Sequence, residues 1–346
     1  MNAIKESPPS ALQTGDPEPL QALSSLLSEE LQEGLRIYWH SAGKILEGSG
    51  VRLHAPPDTY FSLKQNFFSA LFLYSYHRSQ IVRDHRVLYV AVNQCLRGMV
   101  TGCDNILDNE YKMTLDTDLP QGGTRFRSVL DIMVSDRVLV DLLLNYCKNN
   151  GQSPDLIRKA GAGSLRALTP SGVQEASEEK GIKRRLPPEE VLSRIHHAKT
   201  GLLFQCVWAV PAILERDIAP LSSPMKEALY RIGMGCQLLD DLVDLVPDIR
   251  LNRHNYLASL IFHNKDTEVW RQLTSNYSSG SPEAFYQAYP HFAEEAFLTA
   301  SGFLKSGLNR LFLDEHRMLT SPSMAFIMDR IGASAFLSKI KGYTRF

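Results

Sequence analysis

The sequence predicts an all-α protein, and three observations lead to that fold class. Apolar residues recur at three- and four-residue steps almost everywhere from Leu23 onward, which is the period of an amphipathic helix. Alternating runs that would form strands joined by hairpin turns are scarce. The chain has 346 residues, enough to bury a sizeable core. We therefore expect a bundle of about ten or more helices.

Helical periods and helix-start signals define the elements in chain order. Residues 1–20, rich in Pro, Ser and acids, are interpreted as a disordered tail, and residues 21–346 as a single domain. Helical patterns cover about 87–106, 126–146, 267–273, 282–312 and 323–339. Pro187-Pro188 and Ser223-Pro224 are typical helix starts, and Pro247 should end or kink the helix before it. Residues 149–186, with Gly, Ser, Pro and a basic run, are interpreted as a loop region that could include a short helix.

Composition and charge exclude several classes of protein. The formal net charge of −1 gives no sign of a nucleic-acid-binding surface. The longest apolar stretch, around 201–214, is too short to cross a bilayer and contains Gln205 and Pro211, and no signal peptide is apparent. The five cysteines form no CxxC pair, which favours buried reduced thiols. We expect a cytoplasmic protein with no transmembrane segment and no nucleic-acid partner.

Two acidic clusters, far apart in the chain, are the main functional signal. The first is Asp104-Asn105-Ile106-Leu107-Asp108, and the second is Asp240-Asp241-Leu242-Val243-Asp244. In each cluster, acids four residues apart lie on the same face of a helix. Carboxylate oxygens are the preferred ligands of a hard cation such as Mg²⁺. Two such helices facing each other would form a metal-binding mouth suited to a polyanion.

The residues around the second cluster extend this pattern. Gln237 precedes the paired acids by three and four residues and therefore lies on their face, and Gly233 precedes Gln237 by four. Upstream stands His197-Ala198-Lys199-Thr200-Gly201-Leu202-Leu203-Phe204. These strings resemble the class I isoprenoid synthase superfamily, in particular its trans-isoprenyl diphosphate synthase branch. That family has a second motif GxxxQxxDDxxD and a Lys-Thr pair followed by a small residue and Leu-Phe.

The resemblance covers about residues 64–255 and implies an all-α fold with a deep central cavity. It implies a Mg²⁺-dependent prenyltransferase that ionises an allylic isoprenyl diphosphate, with three Mg²⁺ ions when diphosphate is bound, and a homodimer. The implied metal ligands are Asp104, Asp108, Asp240 and Asp244. Asp241 and Gln237 would orient those ligands. Binding to the substrate is assigned to Lys199, with Thr200 beside it, and more weakly to Lys64 and Arg253.

Departures from the family pattern keep three functions open. Asn105 replaces the second Asp of the first motif. Only Lys64 remains of the basic Gly-Lys-Arg-x-Arg-Pro stretch, and Lys112 stands where the family has paired arginines. Those basic groups bind isopentenyl diphosphate in the family, so its use as a second substrate is in doubt here. The alternatives are a class I terpene synthase that needs no isopentenyl diphosphate, and a non-catalytic regulatory subunit of a prenyl diphosphate synthase.

Residues one turn before the first cluster suggest the substrate's length. In this fold, Met99 and Val100 would point toward the hydrocarbon tail. Neither is aromatic, and Gly98 and Gly102 beside them are small, so we expect a tail of about C15 or longer to fit. Several aromatic side chains could stabilise an allylic cation, although plain core packing is their commoner role: Phe67, Phe68, Tyr74 and Phe204. The basic run Lys183-Arg184-Arg185 is interpreted as a solvated loop.

Overall fold

The computed structural model describes residues 20–215, 219–276 and 282–337. Within these ranges the chain is helical, without a strand and with one isolated bridge between Leu53 and Thr117, so the all-α prediction is confirmed. The α-helices are α1 (Leu20–Leu46), α2 (Phe67–Arg78), α3 (Arg83–Leu107), α4 (Thr124–Asn149), α5 (Asp155–Glu178), α6 (Pro188–Glu190), α7 (Leu202–Gln205), α8 (Pro211–Leu214), α9 (Ala219–Val243), α10 (Leu245–Arg250), α11 (Tyr256–Phe262), α12 (Thr267–Asn276), α13 (Glu283–Ala288), α14 (Pro290–Leu311), α15 (Thr320–Ile331) and α16 (Ala333–Leu337). A π-helix, Val191–Gly201, joins α6 to α7.

Most of the predicted helices are present, with breaks where the sequence contains Pro or Gly. Helix α9 ends at Val243 because Pro247 has no N–H to donate to the carbonyl of that residue. The predicted helix over 282–312 is divided into α13 and α14 by Pro290. The one over 323–339 is divided by Gly332, whose φ of 90° ends α15. Helix α9 begins at Ala219, four residues before the start predicted at Ser223-Pro224.

The interpretation of residues 149–186 as a loop region is wrong. Helix α5 occupies 24 residues of this segment and contains Pro170 in its interior. Its described buried residues, Ala160, Ser164, Ser171 and Glu178, are small or polar, so they leave no apolar period to detect. Small residues let a helix approach its neighbour closely: a Cβ on Gly163 would lie 2.7 Å from Ile213 Cδ1. The tail predicted for residues 1–20 lies outside the described residues except for Leu20, which starts α1.

Helices α3 and α9, which carry the two acidic clusters, lie at the centre of the packing. Helix α9 packs chiefly against α14, and α3 against α4 and α1. The approach of α9 to α14 is close, because a Cβ on Gly235 would meet Leu304 Cγ at 2.6 Å. Both acidic clusters therefore stand at the ends of helices whose other faces are fixed by the core.

Candidate active site

Electrostatic contacts and one ion pair show that the two acidic clusters face a common space. Burial raises the pKa values of Asp104 in the first cluster and of Asp240 in the second, and the positive charges of Lys112 and Lys199 partly oppose this rise at both carboxyls. Arg253, which follows the second cluster, donates through Nη2 to Asp108 Oδ1 of the first at 2.7 Å. Segments more than 130 positions apart in sequence therefore meet at one site.

The carboxylates of this site carry more negative charge than their neighbours balance. Burial, followed by repulsion from Asp244 and Asp241, raises the pKa of Asp240 to about 7. Burial, Glu175 and Asp108 raise the pKa of Asp104 to about 6. The side chain of Asp240 is nevertheless accessible to water, as expected for a group that lines a concave surface. We call the space between Asp104, Asp108, Asp240 and Asp244 the acidic mouth. Its uncompensated negative charge favours the binding of cations.

Each cluster has three polar residues, and the middle one of the three, Asn105 in the first cluster and Asp241 in the second, is buried. Its side chain forms hydrogen bonds with the segment that follows the cluster. Asn105 is buried, donates to the carbonyl of Lys112 at 3.0 Å and accepts from its N–H at 2.8 Å. Asp241 is equally buried and accepts the backbone N–H of Tyr256 at 2.5 Å. His196 Nε2 lies 3.0 Å from Asp241 Oδ2, without the alignment of a hydrogen bond.

A short chain of hydrogen bonds ties the Lys-Thr pair to the second motif. Thr200 donates to Gln237 Oε1, and Gln237 Nε2 donates to Asp241 Oδ1 at 3.2 Å. Gly233 permits this contact, since a Cβ there would lie 2.8 Å from the carbonyl oxygen of Thr200. Gly233, Gln237 and Asp241 of the GxxxQxxDDxxD pattern thus have contacts in this structure that their residue types explain.

Lys199 projects from the π-helix and pairs with a residue that the sequence reasoning missed. Its Nζ lies 2.9 Å from Glu175 Oε1 on α5. Burial opposes the charge of Lys199, but the Glu175 carboxylate more than offsets it and holds the pKa of the lysine well above its usual range. Because the sequence of α5 has no apolar period, it indicates neither this helix nor the role of Glu175.

Two further acids near the site were also missed. Asp248 lies one turn after Asp244, and burial together with Asp241 raises its pKa well above the ordinary value. Asp248 continues the four-residue spacing of Asp240 and Asp244, so this spacing is a sequence signal that identifies it. Glu178, on α5, accepts the backbone N–H of His254 at 2.8 Å, which fixes the segment that follows Arg253.

A cavity of about 320 Å³ lies along the part of α3 that precedes the first acidic cluster. Val100, one turn before Asp104, lines it, but Met99 does not. The glycines beside them serve helix packing rather than the cavity: a Cβ on Gly98 would meet Ser135 Oγ at 2.0 Å, and one on Gly102 would meet Ile132 Cγ1 at 2.6 Å. Of the two residues predicted to point toward the hydrocarbon tail, only Val100 lines this cavity, and their contact with a substrate stays a prediction.

Aromatic rings and unpaired cations share the wall of this cavity. Of the predicted aromatics, Phe67, Phe68 and Phe204 line it, whereas Tyr74 is buried with its hydroxyl 2.9 Å from His316 Nδ1. The cations are Lys64, Arg97 and Arg330, which are exposed, and within the described ranges none of them pairs with a carboxylate. Sequence reasoning found Lys64 alone, since Arg97 and Arg330 lie on different helices and only the fold brings them together.

The basic residues that follow the first cluster have separate roles. Arg127 is buried and donates to the carbonyls of Pro120 at 3.2 Å, Thr117 at 3.3 Å and Leu119, so it is not available to a ligand. Lys112 alone reaches the acidic mouth. In the basic run 183–185, Lys183 and Arg184 are exposed as predicted, but Arg185 packs over the ring of Trp270 at 5.2 Å.

The part of the chain that the structure describes contains no group of three His, Cys, Asp or Glu side chains arranged to hold a metal ion by themselves. A Mg²⁺ ion in proteins keeps several waters and binds through one or two carboxylates and the phosphates of a substrate. The carboxylates of Asp104 and Asp240, whose pKa values are raised by burial and by neighbouring acids, are groups of the type that would hold such an ion.

Comparison with known proteins supports the fold. No family model and no curated protein matches the sequence, but solved structures do. Geranylgeranyl pyrophosphate synthase from Corynebacterium glutamicum aligns with a TM-score of 0.58 at 14% identity, over 92% of this chain and 96% of its own. Decaprenyl diphosphate synthase from Rhodobacter capsulatus gives 0.56 at 14%, over 90% and 99%. Geranylgeranyl pyrophosphate synthetase from Pyrococcus horikoshii gives 0.56 at 15%, over 90% and 98%.

At this level of identity the likeness establishes the fold, and the predicted trans-isoprenyl diphosphate synthase-like fold is confirmed. The helices within the described ranges include none that is long and apolar enough to cross a membrane.

Proposed function

We propose that this protein is a Mg²⁺-dependent prenyltransferase of the polyprenyl diphosphate synthase type, which ionises an allylic isoprenyl diphosphate. One observation carries the proposal: an ion pair of 2.7 Å between Arg253 and Asp108 brings the segments of the two acidic clusters together, and an apolar cavity lies along α3 one turn away. A diphosphate needs its charge neutralised before it can leave, and a hydrocarbon tail needs an apolar space. The synthases that share this fold are named for making prenyl diphosphates, which agrees with the proposal.

In this proposal Asp104, Asp108, Asp240 and Asp244 hold Mg²⁺ together with the oxygens of the diphosphate. The metal, when bound, acts as a Lewis acid that stabilises the charge of the leaving group. Asp241 does not contact the ions. Its hydrogen bond from Tyr256 and its contact with Gln237 fix the helix end that carries the two outer acids.

The cations of the site would meet the diphosphate directly. Lys199, held by Glu175, offers a fixed ammonium, and Thr200 beside it is held by Gln237. Lys112 is largely exposed at the same mouth. Arg253 already pairs with Asp108, so it can exchange part of that pairing for the phosphate oxygens.

The cavity protects the allylic cation that forms when the carbon–oxygen bond breaks. Phe68 and Phe204 lie edge to face, with ring centroids 5.6 Å apart, and both line the cavity. Apolar walls exclude the water that would capture the cation as an alcohol, and aromatic faces attract positive charge.

A second anion site favours prenyl transfer over cyclisation. Lys64, Arg97 and Arg330 line the same cavity, and none of them has a carboxylate partner among the residues that the structure describes. Three such cations suit a second diphosphate, such as that of isopentenyl diphosphate. A terpene synthase needs no second diphosphate and has no use for these charges. A regulatory subunit would have little reason to keep the crowded acids, whose repulsion is costly without metal.

Product analysis with Mg²⁺ tests the proposal. Geranyl, farnesyl and geranylgeranyl diphosphates are incubated with and without isopentenyl diphosphate, and products are identified by mass spectrometry. We expect longer prenyl diphosphates only when isopentenyl diphosphate is present, and none with the Arg97→Gln variant, which removes one cation of the second site. Hydrocarbons or alcohols formed from the allylic donor alone would instead indicate a terpene synthase. No diphosphate release from any donor, together with binding to an active synthase, would indicate a regulatory subunit.

We further infer that the protein forms a homodimer through α4. Five large apolar side chains lie exposed on this helix at spacings of three, four and seven residues: Phe126, Val129, Met133, Val140 and Leu144. Such a stripe covers one face of a helix and would be buried by the same stripe of a second copy. Light scattering should show the mass halved by Met133→Lys and unchanged by Leu298→Lys, which alters an equally apolar residue exposed on α14.

A further inference from the structure

A second apolar space lies next to the cavity of the proposed site. It is a groove of about 380 Å³ between α1, α2 and the segment around α15. Its walls are almost wholly apolar and include Leu23, Leu27, Leu63, Leu71, Phe312 and Leu319. The mechanism proposed above makes no use of this groove.

The groove and the cavity have a common wall. Lys64, Phe67 and Phe326 line both spaces. The rings of Phe67 and Phe326 are in contact, with centroids 4.4 Å apart. Lys64 therefore offers its charge at the place where the apolar groove meets the cluster of cations formed with Arg97 and Arg330.

The size of the groove exceeds what a five-carbon substrate can use. An apolar cavity of about 150 Å³ takes up benzene, with six carbons. On that scale a groove of about 380 Å³ has room for roughly 15 carbons, and a five-carbon group would fill about a third of it. Unpaired cations at one end and apolar walls beyond them match an anion that carries a longer hydrocarbon group.

We propose that the second anion site, besides accepting isopentenyl diphosphate, binds an amphiphilic diphosphate whose hydrocarbon group is longer than five carbons and lies in this groove. The headgroup contacts Lys64, Arg97 and Arg330, and the chain passes the Phe67–Phe326 pair along α1. The inference rests on the proposed function only in treating these cations as a site for the second substrate.

Calorimetry of pentyl and decyl diphosphate, below the concentration at which they form micelles, tests this site. EDTA is present and no allylic donor is added, so that the acidic mouth repels the ligands and no reaction occurs. We expect decyl diphosphate to bind roughly 10²- to 10³-fold more tightly than pentyl diphosphate because five more methylene groups are buried. Replacing Lys64 or Arg330 by Gln should weaken both ligands about equally and keep their ratio.

Two neighbouring serines give a matched pair of variants. Both are exposed on α1, but Ser24 lines the groove and Ser25 does not. Ser24→Trp should reduce the advantage of the decyl ligand to less than threefold and leave pentyl binding unchanged, whereas Ser25→Trp should preserve the full advantage. Ala70→Phe, on α2 in the groove wall, gives a second blocked variant if the first does not fold.

Equal affinities for the two ligands, or a decyl advantage that survives both Ser24→Trp and Ala70→Phe, would overturn the proposal. Sedimentation with phosphatidylglycerol-containing vesicles separates a free amphiphile from a membrane lipid. Vesicle binding that depends on Ser24, without a decyl advantage in solution, would also overturn it. The titrations use neither donor nor metal, so a failure to transfer prenyl groups would leave their outcome intact, and the two proposals can fail separately.

Discussion

The first and second acidic clusters share one plan and differ at one residue. In both, the outer acids face the common mouth while the middle residue is buried and holds the following segment. The middle residue is Asn105 in the first cluster and Asp241 in the second. The difference follows from what each must bind: Asn105 faces both an N–H and a carbonyl of Lys112, whereas Asp241 faces donors, the N–H of Tyr256 and the amide of Gln237.

An amide can donate and accept, but a carboxylate can only accept. The asparagine in the first cluster is therefore suited to its surroundings, and its departure from the DDxxD pattern need not weaken metal binding. Both middle residues position their clusters, and the outer acids are left for the ligand. This division of roles can be tested by substitutions that treat the two kinds of residue separately.

The largest effect is expected at the outer acids. Asp104→Asn and Asp240→Asn should each lower the rate of diphosphate release by at least about 10³-fold, equivalent to roughly 4 kcal/mol in the barrier. The melting temperature should stay the same or rise, because each change removes a carboxylate that its neighbours repel.

Enzyme assays and thermal unfolding of the same preparations give both quantities. Asp84→Asn provides the control, since this carboxylate is exposed at the other end of α3 and its loss should change neither. A melting temperature lowered in proportion to the lost activity would mean that the outer acids support the fold and do not hold a ligand.

A smaller effect, on stability, is expected at the middle residue of the first cluster. Asn105→Asp brings the motif closer to DDxxD, yet it leaves the carbonyl of Lys112 without its donor and buries a charge. We expect the free energy of unfolding to fall by about 2 kcal/mol, measured by urea denaturation. Asn109→Asp is the matched control: Asn109 is exposed at a φ of 53°, a conformation that both residue types tolerate. An Asn105→Asp variant with an unchanged free energy of unfolding would contradict the claim that Asn105 is required by its hydrogen bonds to Lys112.

The sequence predicted the helices that carry the clusters, because α3 and α4 have strong apolar periods and α9 has a motif with fixed spacing. It could not predict α5, whose buried positions are small or polar, and it therefore missed Glu175 as the partner of Lys199. It also placed Met99 at the cavity, where only Val100 lies. The cluster of Lys64, Arg97 and Arg330 could not be predicted for another reason. Its residues come from three separate parts of the chain, and no local sequence spacing relates them.

The smallest effect distinguishes the two clusters by pH. Metal binding requires ionised carboxylates, and the pKa values of Asp240, about 7, and Asp104, about 6, lie above the ordinary range. Affinity for Mg²⁺ with methylene bisphosphonate should therefore rise from pH 6 to pH 8, by about tenfold for a group whose pKa is near 7. Calorimetry at several pH values measures this slope.

The variants assign that slope to one cluster. Asp240→Asn should weaken binding and move the inflection of the affinity from near pH 7 to near pH 6, whereas Asp104→Asn should leave it near 7.

The stability of the metal-free protein should fall with rising pH, opposite to the affinity for Mg²⁺. A carboxyl with a raised pKa binds more protons in the folded state, so the folded protein loses stability as pH rises from about 4 to the folded pKa, about 6 for Asp104 and about 7 for Asp240. Added Mg²⁺ and bisphosphonate should remove that loss, and an equal loss with and without them would show that these acids do not bind the ligand.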